Sequence, residues 1–335
     1  MALLNYLHRV ADRVNLSAQQ AHEAMTVLLG GGASSAEIAA FLVALRMKGE
    51  TATELAGFAR AMREHMVAVD AGDVVDNCGT GGDSSGTFNV STVAAFVLAG
   101  AGAHVAKHGN RSISSATGGA DVLEALGVRI TATPEEAARA IREIGFGFLF
   151  APVFHPAMKH VQPVRRELKM RTVFNLLGPL VNPARAQAQV IGAPSAAAAA
   201  LMADALHQLG TRRAFVVHGR DGLDEITITA ETDVFEVTAS GIAPAVWTPA
   251  DFGVDRADSA SLKGGDAQQN AAIARAILEG ELGPRRDIVL VNAAAALVAA
   301  GLAPDLRSAM ALAAQSIDSG AALTNLEAVR AAHSS

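Results

Sequence analysis

The densest run of residues able to do chemistry lies between positions 76 and 92, where the chain reads DNCGTGGDSSGTFNVST. Gly79, Gly81 and Gly82 permit a sharp turn with the backbone close to a ligand, and successive amides in such a turn make an anion-binding concavity. Asp83, Thr87 and their small polar neighbours add hydrogen-bonding groups. Asn89 is a good N-cap, so the apolar stretch VSTVAAFVLAG is predicted to be a helix. The first turn of that helix, Val90, Ser91 and Thr92, adds free N–H groups and the positive end of the helix dipole. Such geometry suits a phosphate or pyrophosphate. The loop is not a Walker loop, because no Gly-Lys-Ser/Thr closes it. Nor is it a dinucleotide fingerprint, because Ser84 stands where the third glycine belongs. The plainer alternative is an ordinary glycine turn, which so many small polar residues in one loop disfavour.

Three further groups carry charge. KHGNRSISS, from Lys107 to Ser115, follows the strand candidate HVA, and loops at the carboxyl ends of parallel strands line one crevice. Lys107 and Arg111 would place positive charge beside the first loop, with Ser112, Ser114 and Ser115 as donors; a solvated basic turn explains the same residues equally well. Asp224 and Glu225 are adjacent carboxylates in GRDGLDEIT. Two close carboxylates repel unless a cation neutralises them, and magnesium takes a few carboxylate oxygens plus waters and substrate phosphates. For an isolated pair a solvated acidic turn is the better reading, and the phosphate loop is what shifts the balance. PVRRELKMR carries Arg165, Arg166, Lys169 and Arg171; an arginine fork recognises a carboxylate in a bidentate way, but local sequence does not say which of them faces inward. His108 and His155 are candidates for a pocket wall or for satisfied structural positions. Cys78 reads as a small core residue, since no activating base can be placed beside it.

These groups need a scaffold. At 335 residues the chain fits two domains, or one large α/β unit with an appendage. Half of it is hydrophobic but only 4% is aromatic, so the core must be filled by small and branched side chains in closely packed elements. The first 70 residues read as helices, opened by capping boxes at Ser17/Gln20, Ser34/Glu37 and Thr51/Glu54 and stopped at Gly30–Gly32 and Gly49. From Asp73 strands and helices alternate, which predicts parallel βαβ units. The strand candidates are VVDNC, HVAKHG, VRI, AQVIGA, RAFVVHG and DIVLVN, with EITIT and DVFEVT as an antiparallel edge hairpin. The expected fold is therefore α/β: a small all-helical domain over 1–70, with a returning helical segment near 160–175, and a larger α/β domain over 73–335 with a mostly parallel sheet.

The bulk charge excludes some partners. A net charge of −6, with scattered cations, argues against nucleic acid as the main partner. One cysteine excludes an intramolecular disulfide framework. The N-terminus is too polar for a signal peptide, and the apolar stretch from Ile288, interrupted by Asn292, is too short and alanine-rich to span a bilayer; it reads as a buried strand running into a helix. A soluble, cytoplasmic protein is expected.

DNCGTGGD, FNVST, KHGNRSISS, GGADVLEALGV, FLFAPVFHPAMKHVQPVRREL, TVFNLLGPLVNP and GLDEIT occur in the order and spacing of the anthranilate phosphoribosyltransferase family, which the chain resembles almost end to end. The resemblance implies transfer of phosphoribosyl from phosphoribosyl pyrophosphate to the amine of anthranilate, the second step of tryptophan biosynthesis. It also implies magnesium as cofactor and a homodimer formed through the helical domain. Carried across by position, Gly79, Gly82, Asp83, Thr87, Asn89, Val90, Ser91 and Thr92 contact phosphoribosyl pyrophosphate. Lys107, His108, Gly109, Asn110, Arg111, Ser112, Ile113, Ser114 and Ser115, with Gly119, complete its site. Ser91, Asp224 and Glu225 hold magnesium. Gly79, Asn110 and Arg165 meet anthranilate, with His108 and His155 shaping the pocket; the resemblance thus selects Arg165 over Arg166. Thr117-Gly118-Gly119 and Met158 vary from patterns of some relatives. The nearest rival is a pyrimidine nucleoside phosphorylase of the same architecture, which uses inorganic phosphate and has no need of the Asp224–Glu225 metal site. A non-catalytic relative that binds nucleic acid, and a sensor that binds phosphoribosyl pyrophosphate without turnover, are the readings from other classes.

Overall fold

The computed structural model describes residues 2–81, 85–112 and 117–332. Four helices open the chain: α1 (Ala2–Ala11), α2 (Ala18–Leu29), α3 (Ser35–Lys48) and α4 (Ala52–His65). Ser17, Ser34 and Thr51 each accept from the backbone N–H three residues on, while Gln20, Glu37 and Glu54 reach back, so all three capping boxes form. Gly30 and Gly49 close α2 and α3.

The rest is built on a seven-stranded sheet in the order β3-β2-β1-β4-β5-β6-β7. Its strands are β1 (Val75–Asp76), β2 (Val105–Gly109), β3 (Phe146–Phe150), β4 (Ala188–Gly192), β5 (Arg213–Gly219), β6 (Thr232–Thr238) and β7 (Gly241–Trp247). The first five in that order are mutually parallel, with Val75 opposite both Val105 and Ala188, and β6 and β7 add antiparallel at one edge. Successive strand residues face opposite ways, and the core divides accordingly. Val190, Phe215 and Val217 join one cluster, with α5 (Val90–Gly100) and α14 (Pro284–Ala299). Ile191, Ala214 and Val216 join another, with α11 (Ala196–Gln208) and the N-terminal helices. The sheet is therefore covered on both faces, as a parallel sheet must be.

The remaining helices are α6 (Gly119–Ala125), α7 (Pro134–Ile144), α8 (Ala151–Phe154), α9 (Gln162–Leu168), α10 (Phe174–Leu177), α12 (Pro249–Phe252), α13 (Ala267–Leu278), α15 (Leu306–Asp318) and α16 (Ala321–Ala332). Val161 and Val164, at α9, and Phe174, at α10, pack into the same core as α2–α4, so this segment returns to the helical part. Among the described residues no helix is long and apolar enough to cross a membrane.

Three expectations about elements are corrected, and one strand is added. DIVLVN is not a strand: it lies within α14, whose residues from Ile288 to Ala299 are buried. A short apolar run with alanine on its C-terminal side does not distinguish a buried strand from a buried helix by periodicity. VRI is an extended connection, although Val128 and Ile130 are buried in the core. EITIT is a turn-rich loop rather than a hairpin arm; DVFEVT pairs instead with β5 and β7. FGFLF, which the sequence pattern leaves unassigned, is β3, the far edge of the sheet, with alternate Phe146 and Phe148 in one core and Leu149 in a third cluster beside β2.

Candidate active site

The loop after β1 and the loop after β5 meet at the carboxyl ends of the parallel strands. Gly81 N–H donates to Asp224 Oδ2 at 2.7 Å across 143 residues of chain. Close approach makes this possible: a Cβ on Gly192, the last residue of β4, would lie 1.6 Å from Asp224 O, and one on Gly79 would lie 2.9 Å from Asp224 Oδ2. Thr80 N–H donates to Gly192 O at 2.9 Å, fixing the glycine loop to the end of β4. Glu225 follows directly, and Ile226 is held by both its backbone groups: its N–H donates to Asn292 Oδ1 at 3.0 Å and its carbonyl accepts from Asn292 Nδ2 at 2.9 Å. Asn292, buried in the middle of apolar α14, is thus the support of the carboxylate loop.

Asn89 occupies the N-cap position of α5, but its side chain makes no capping bond, contrary to expectation. Its Nδ2 donates to Thr117 O at 3.2 Å and its Oδ1 accepts from Asn270 Nδ2 at 3.0 Å, so the amide serves longer-range contacts instead. Val90 and Thr92 donate their N–H groups to Phe88 O and Asn89 O. The Thr92 and Thr80 hydroxyls are buried without a hydrogen-bond partner. Buried hydroxyls are ordinarily satisfied, and two orphans flanking a glycine loop are open to ligand oxygens. Thr80 lies inside the glycine loop read from the sequence, and its orphaned hydroxyl is the structural signal that singles it out there. Thr87 forms a bridge to Lys263, and Gly119 opens α6 where a Cβ would stand 3.2 Å from Thr92 Oγ1.

Lys107, His108 and Gly109 lie within β2, with the loop beginning at Asn110. Lys107 is only 3% exposed, and its Nζ reaches Asn77 O (3.3 Å), Asn77 Oδ1 (3.2 Å) and Ser91 Oγ (3.2 Å), tying the end of β1 to the first turn of α5. Beneath it Asp76 is fully buried, accepting from Asn182 Nδ2 at 2.7 Å and His108 N–H at 3.3 Å; burial raises its pKa to about 6 despite Lys107. Arg111 turns away from the first loop, onto the carboxylates of Asp121 and Glu124 at α6. Asn110 Oδ1 accepts from Arg111 N–H at 2.8 Å, and Ser112 N–H donates to Asp121 at 3.2 Å. Gly82, Asp83, Ile113, Ser114 and Ser115 lie outside the described residues.

His108 and His155 stack obliquely, ring centroids 5.1 Å apart. Burial lowers the pKa of His108 to about 3 and that of His155 to about 4, so both are neutral at physiological pH. His108 Nδ1 meets Gly178 O at 3.0 Å and must donate to it; its Nε2 is then a bare acceptor, buried and unpartnered, as is His155 Nε2. Arg165 projects from α9 with its guanidinium 5.1 Å from the Phe174 ring centroid and one long bond to Gln162 Oε1, 3.4 Å. No carboxylate among the described residues pairs with it, and burial lowers its pKa. Arg171 Nη2 donates to Gly81 O at 2.6 Å, and Arg46 of α3 reaches Arg171 O, so the glycine loop is linked to the helical part. Cys78 is no nucleophile: burial, then the carboxylates of Asp76, Asp224 and Glu225, push its thiol well above the usual range.

Among the described residues no cluster of three or more His, Cys, Asp or Glu side chains is placed to hold a metal ion by itself. The donor set nevertheless fits magnesium. That ion needs only one or two carboxylates when substrate phosphates and water complete its shell, and Asp224 abuts the glycine loop with Glu225 adjacent. Ser91 Oγ accepts from Lys107 and keeps a second lone pair.

The chain matches two family descriptions: "Glycosyl transferase family, helical bundle domain" over residues 4–66 and "Glycosyl transferase family, a/b domain" over 71–323. It is 58% identical over 333 residues to the anthranilate phosphoribosyltransferase of Solibacter usitatus, covering 98% of each chain. It is 53% identical to that of Symbiobacterium thermophilum, covering 97% of this chain and 96% of that one. The crystal structure of anthranilate phosphoribosyltransferase from Thermus thermophilus superposes with a TM-score of 0.93 at 47% identity, covering 100% of both chains. The enzyme from Saccharomyces cerevisiae, in complex with PRPP and Mg, superposes at 0.91 and 30% identity, covering 99% of this chain and 98% of that one. With a helical bundle leading into a doubly covered sheet whose glycine and carboxylate loops meet, the chain belongs to the anthranilate phosphoribosyltransferase family.

Proposed function

We propose that this chain transfers the phosphoribosyl group of phosphoribosyl pyrophosphate to the amine of anthranilate, releasing pyrophosphate, with magnesium as cofactor. The observation that carries the reading is the contact of Asp224 with Gly81, which sets a carboxylate pair against an anion-binding loop. A carboxylate pair beside a turn of backbone amides suits a cation and an anion bound together. The orphaned Thr80 and Thr92 hydroxyls support oxygen-rich ligand groups beside it.

In this reading Asp224, Glu225 and Ser91 hold the magnesium ion, which when bound neutralises charge on the leaving pyrophosphate. The chain's own residues do the rest. The anthranilate amine attacks the anomeric carbon with its neutral lone pair, and the carbon–oxygen bond to pyrophosphate breaks with its electron pair leaving on pyrophosphate. The newly bonded nitrogen then sheds a proton to solvent. No protein base is needed before the attack. The loops after β1 and β2 present amides and hydroxyls to the departing charge. Arg165 binds the anthranilate carboxylate; its lack of a protein carboxylate partner among the described residues supports that role. His108 and His155, held neutral by burial, shape the aromatic pocket. Holding amine and ribose in line supplies part of the roughly 7–11 kcal/mol that ideal orientation can give.

Residues 1–70 are taken as the helical domain, with 160–175 returning to it, and 73–335 as the α/β domain. A homodimer through the helical domain belongs to the same reading; exposed Met47, at 72%, and Val14, at 42%, support an interface there. Paired assays separate this function from that of a nucleoside phosphorylase. Pyrophosphate released with anthranilate, and no free base released from thymidine and phosphate, is expected; the opposite pair of results defeats the proposal.

A further inference from the structure

The two ligand loops meet through the Asn89 side chain and the Thr117 carbonyl, and a third segment braces that contact. Asn270, in α13 and only 3% exposed, donates from Nδ2 to Asn89 Oδ1 at 3.0 Å. Asn89 Nδ2 donates to Thr117 O at 3.2 Å. Thr117 Oγ1 donates to Gly265 O at 3.0 Å. Gly265 N–H donates back to Asn270 Oδ1 at 2.7 Å, which closes the ring. Asn89 sits at the start of α5 and Thr117 just before α6, so each marks the end of one ligand loop. The ring is braced from the side: Gly264 N–H donates to Gly86 O at 2.9 Å, Phe88 N–H to Leu262 O at 3.2 Å, and Thr87 bridges Lys263.

We infer that Asn270 is a positioning residue for phosphoribosyl pyrophosphate: through the closed ring it sets the spacing between the glycine loop–α5 junction and the loop after β2. The inference rests on the proposed function, since it presumes that both loops hold that substrate. Three features argue for it. Both polar atoms of the Asn270 amide are used, one to each side, so the side chain acts as a spacer of fixed length and not as a surface polar group. The Asn89 amide is likewise engaged by protein at both of its polar atoms, so its orientation is set by the frame. Closed rings of hydrogen bonds, here partly buried, hold relative position more tightly than separate bonds, because each member's orientation is dictated by two partners. Ligand affinity is sensitive to such preorganisation, since ordering two loops at the moment of binding subtracts from the binding free energy. Neither Asn270 nor Gly265 belongs to any motif read from the sequence.

The test is steady-state kinetics on the full chain with phosphoribosyl pyrophosphate, magnesium and anthranilate. Asn270→Asp keeps the acceptor for Gly265 N–H and replaces the donor to Asn89 with a repelling oxygen. Thr117→Val opens the ring from the other side with little change in volume. Asp266→Ala is the control: it removes the N-cap of α13, where Asp266 accepts from Gln269 N–H at 2.9 Å, and loosens the same segment without touching the ring. In Asn270→Asp and Thr117→Val the KM for phosphoribosyl pyrophosphate should rise about fivefold or more, the size of one buried hydrogen bond. The KM for anthranilate at saturating donor substrate should stay within about twofold, and Asp266→Ala should keep the wild-type KM for both. A wild-type KM for phosphoribosyl pyrophosphate in either ring variant that folds overturns the inference. So does the same rise in Asp266→Ala, which would reduce Asn270 to general packing. If Asn270→Asp does not fold, Thr117→Val alone decides. A wild-type chain that does not consume phosphoribosyl pyrophosphate at all defeats the proposed function first, a result distinct from unchanged constants in active variants.

Discussion

Asp224 accepts an amide from the glycine loop while Glu225 stands beside it, and both carboxylates contribute to raising the pKa of Cys78, so negative charge is concentrated at the mouth of an anion site. Adjacent carboxylates repel, and a bound cation relieves that repulsion. Asp224→Ala with Glu225→Ala is expected to abolish turnover at ordinary magnesium and to recover part of it in excess; full activity in magnesium-depleted buffer would contradict the assignment. Arg165→Ala should raise the KM for anthranilate by roughly 10-fold or more, as loss of a charged hydrogen-bonding partner does, and an unchanged KM would move the carboxylate elsewhere. The histidine pair gives a pH signature with a definite sign. His108 and His155 fall from the usual 6.5 to about 3 and about 4, so the unfolded chain binds protons that the folded chain refuses. Their contribution to stability is present above pH 6.5 and is lost as pH falls toward 4. Asp76, raised from 3.8 to about 6, works in the opposite direction, adding stability as pH falls through 6. Wild type is therefore expected to lose more stability between about pH 7 and pH 5 than His155→Asn does, by on the order of 2 kcal/mol. Equal losses in urea titrations of the two proteins would show that His155 is not buried as a neutral ring.

At the scale of elements, the supports of the site are side chains that bond backbone far away in sequence. Asn292 holds Ile226 from α14, Asn182 holds Asp76 and Ala106, and Arg171 holds Gly81. Asn292→Leu keeps the volume but strands the Ile226 N–H and carbonyl in a buried setting, at a cost of about 1–3 kcal/mol per unsatisfied group. It should also raise the magnesium concentration needed for half-maximal turnover, because Glu225 is the residue before Ile226. A variant as stable as wild type would show that the loop finds its place unaided. These supports explain what sequence could and could not disclose. Glycine and carboxylate signals are local and mark the loops in the sequence, and the capping boxes of α2–α4 form as their spacing predicts, whereas the Asn89 cap does not. Asn292 was visible only as an interruption of an apolar run, because its partner lies 66 residues away. The same run reads as a strand, since Ile, Val and Leu buried on every side look alike in α14 and in a central strand. FGFLF escapes notice for the converse reason: aromatic residues around one glycine, between helices, carry no alternation of polar and apolar positions.

Over the whole molecule the chain carries a net charge of −6, so the proposed anion site depends on local amides and hydroxyls. The five parallel strands end on one side of the sheet, where the loops after β1 and β5 meet. The segment from Val161 to Phe174 packs with the N-terminal helices while Arg171 grips the glycine loop, so the part of the chain bearing Arg165 and the part bearing the phosphate loop share one frame. Both halves of the proposed transfer reaction are held in one frame, and the fluorescence of anthranilate incubated with the protein, phosphoribosyl pyrophosphate and magnesium tests this directly. A steady loss of anthranilate fluorescence that requires all three and is matched by pyrophosphate release is expected. Anthranilate fluorescence that stays constant while the protein is folded and both substrates are present would contradict it.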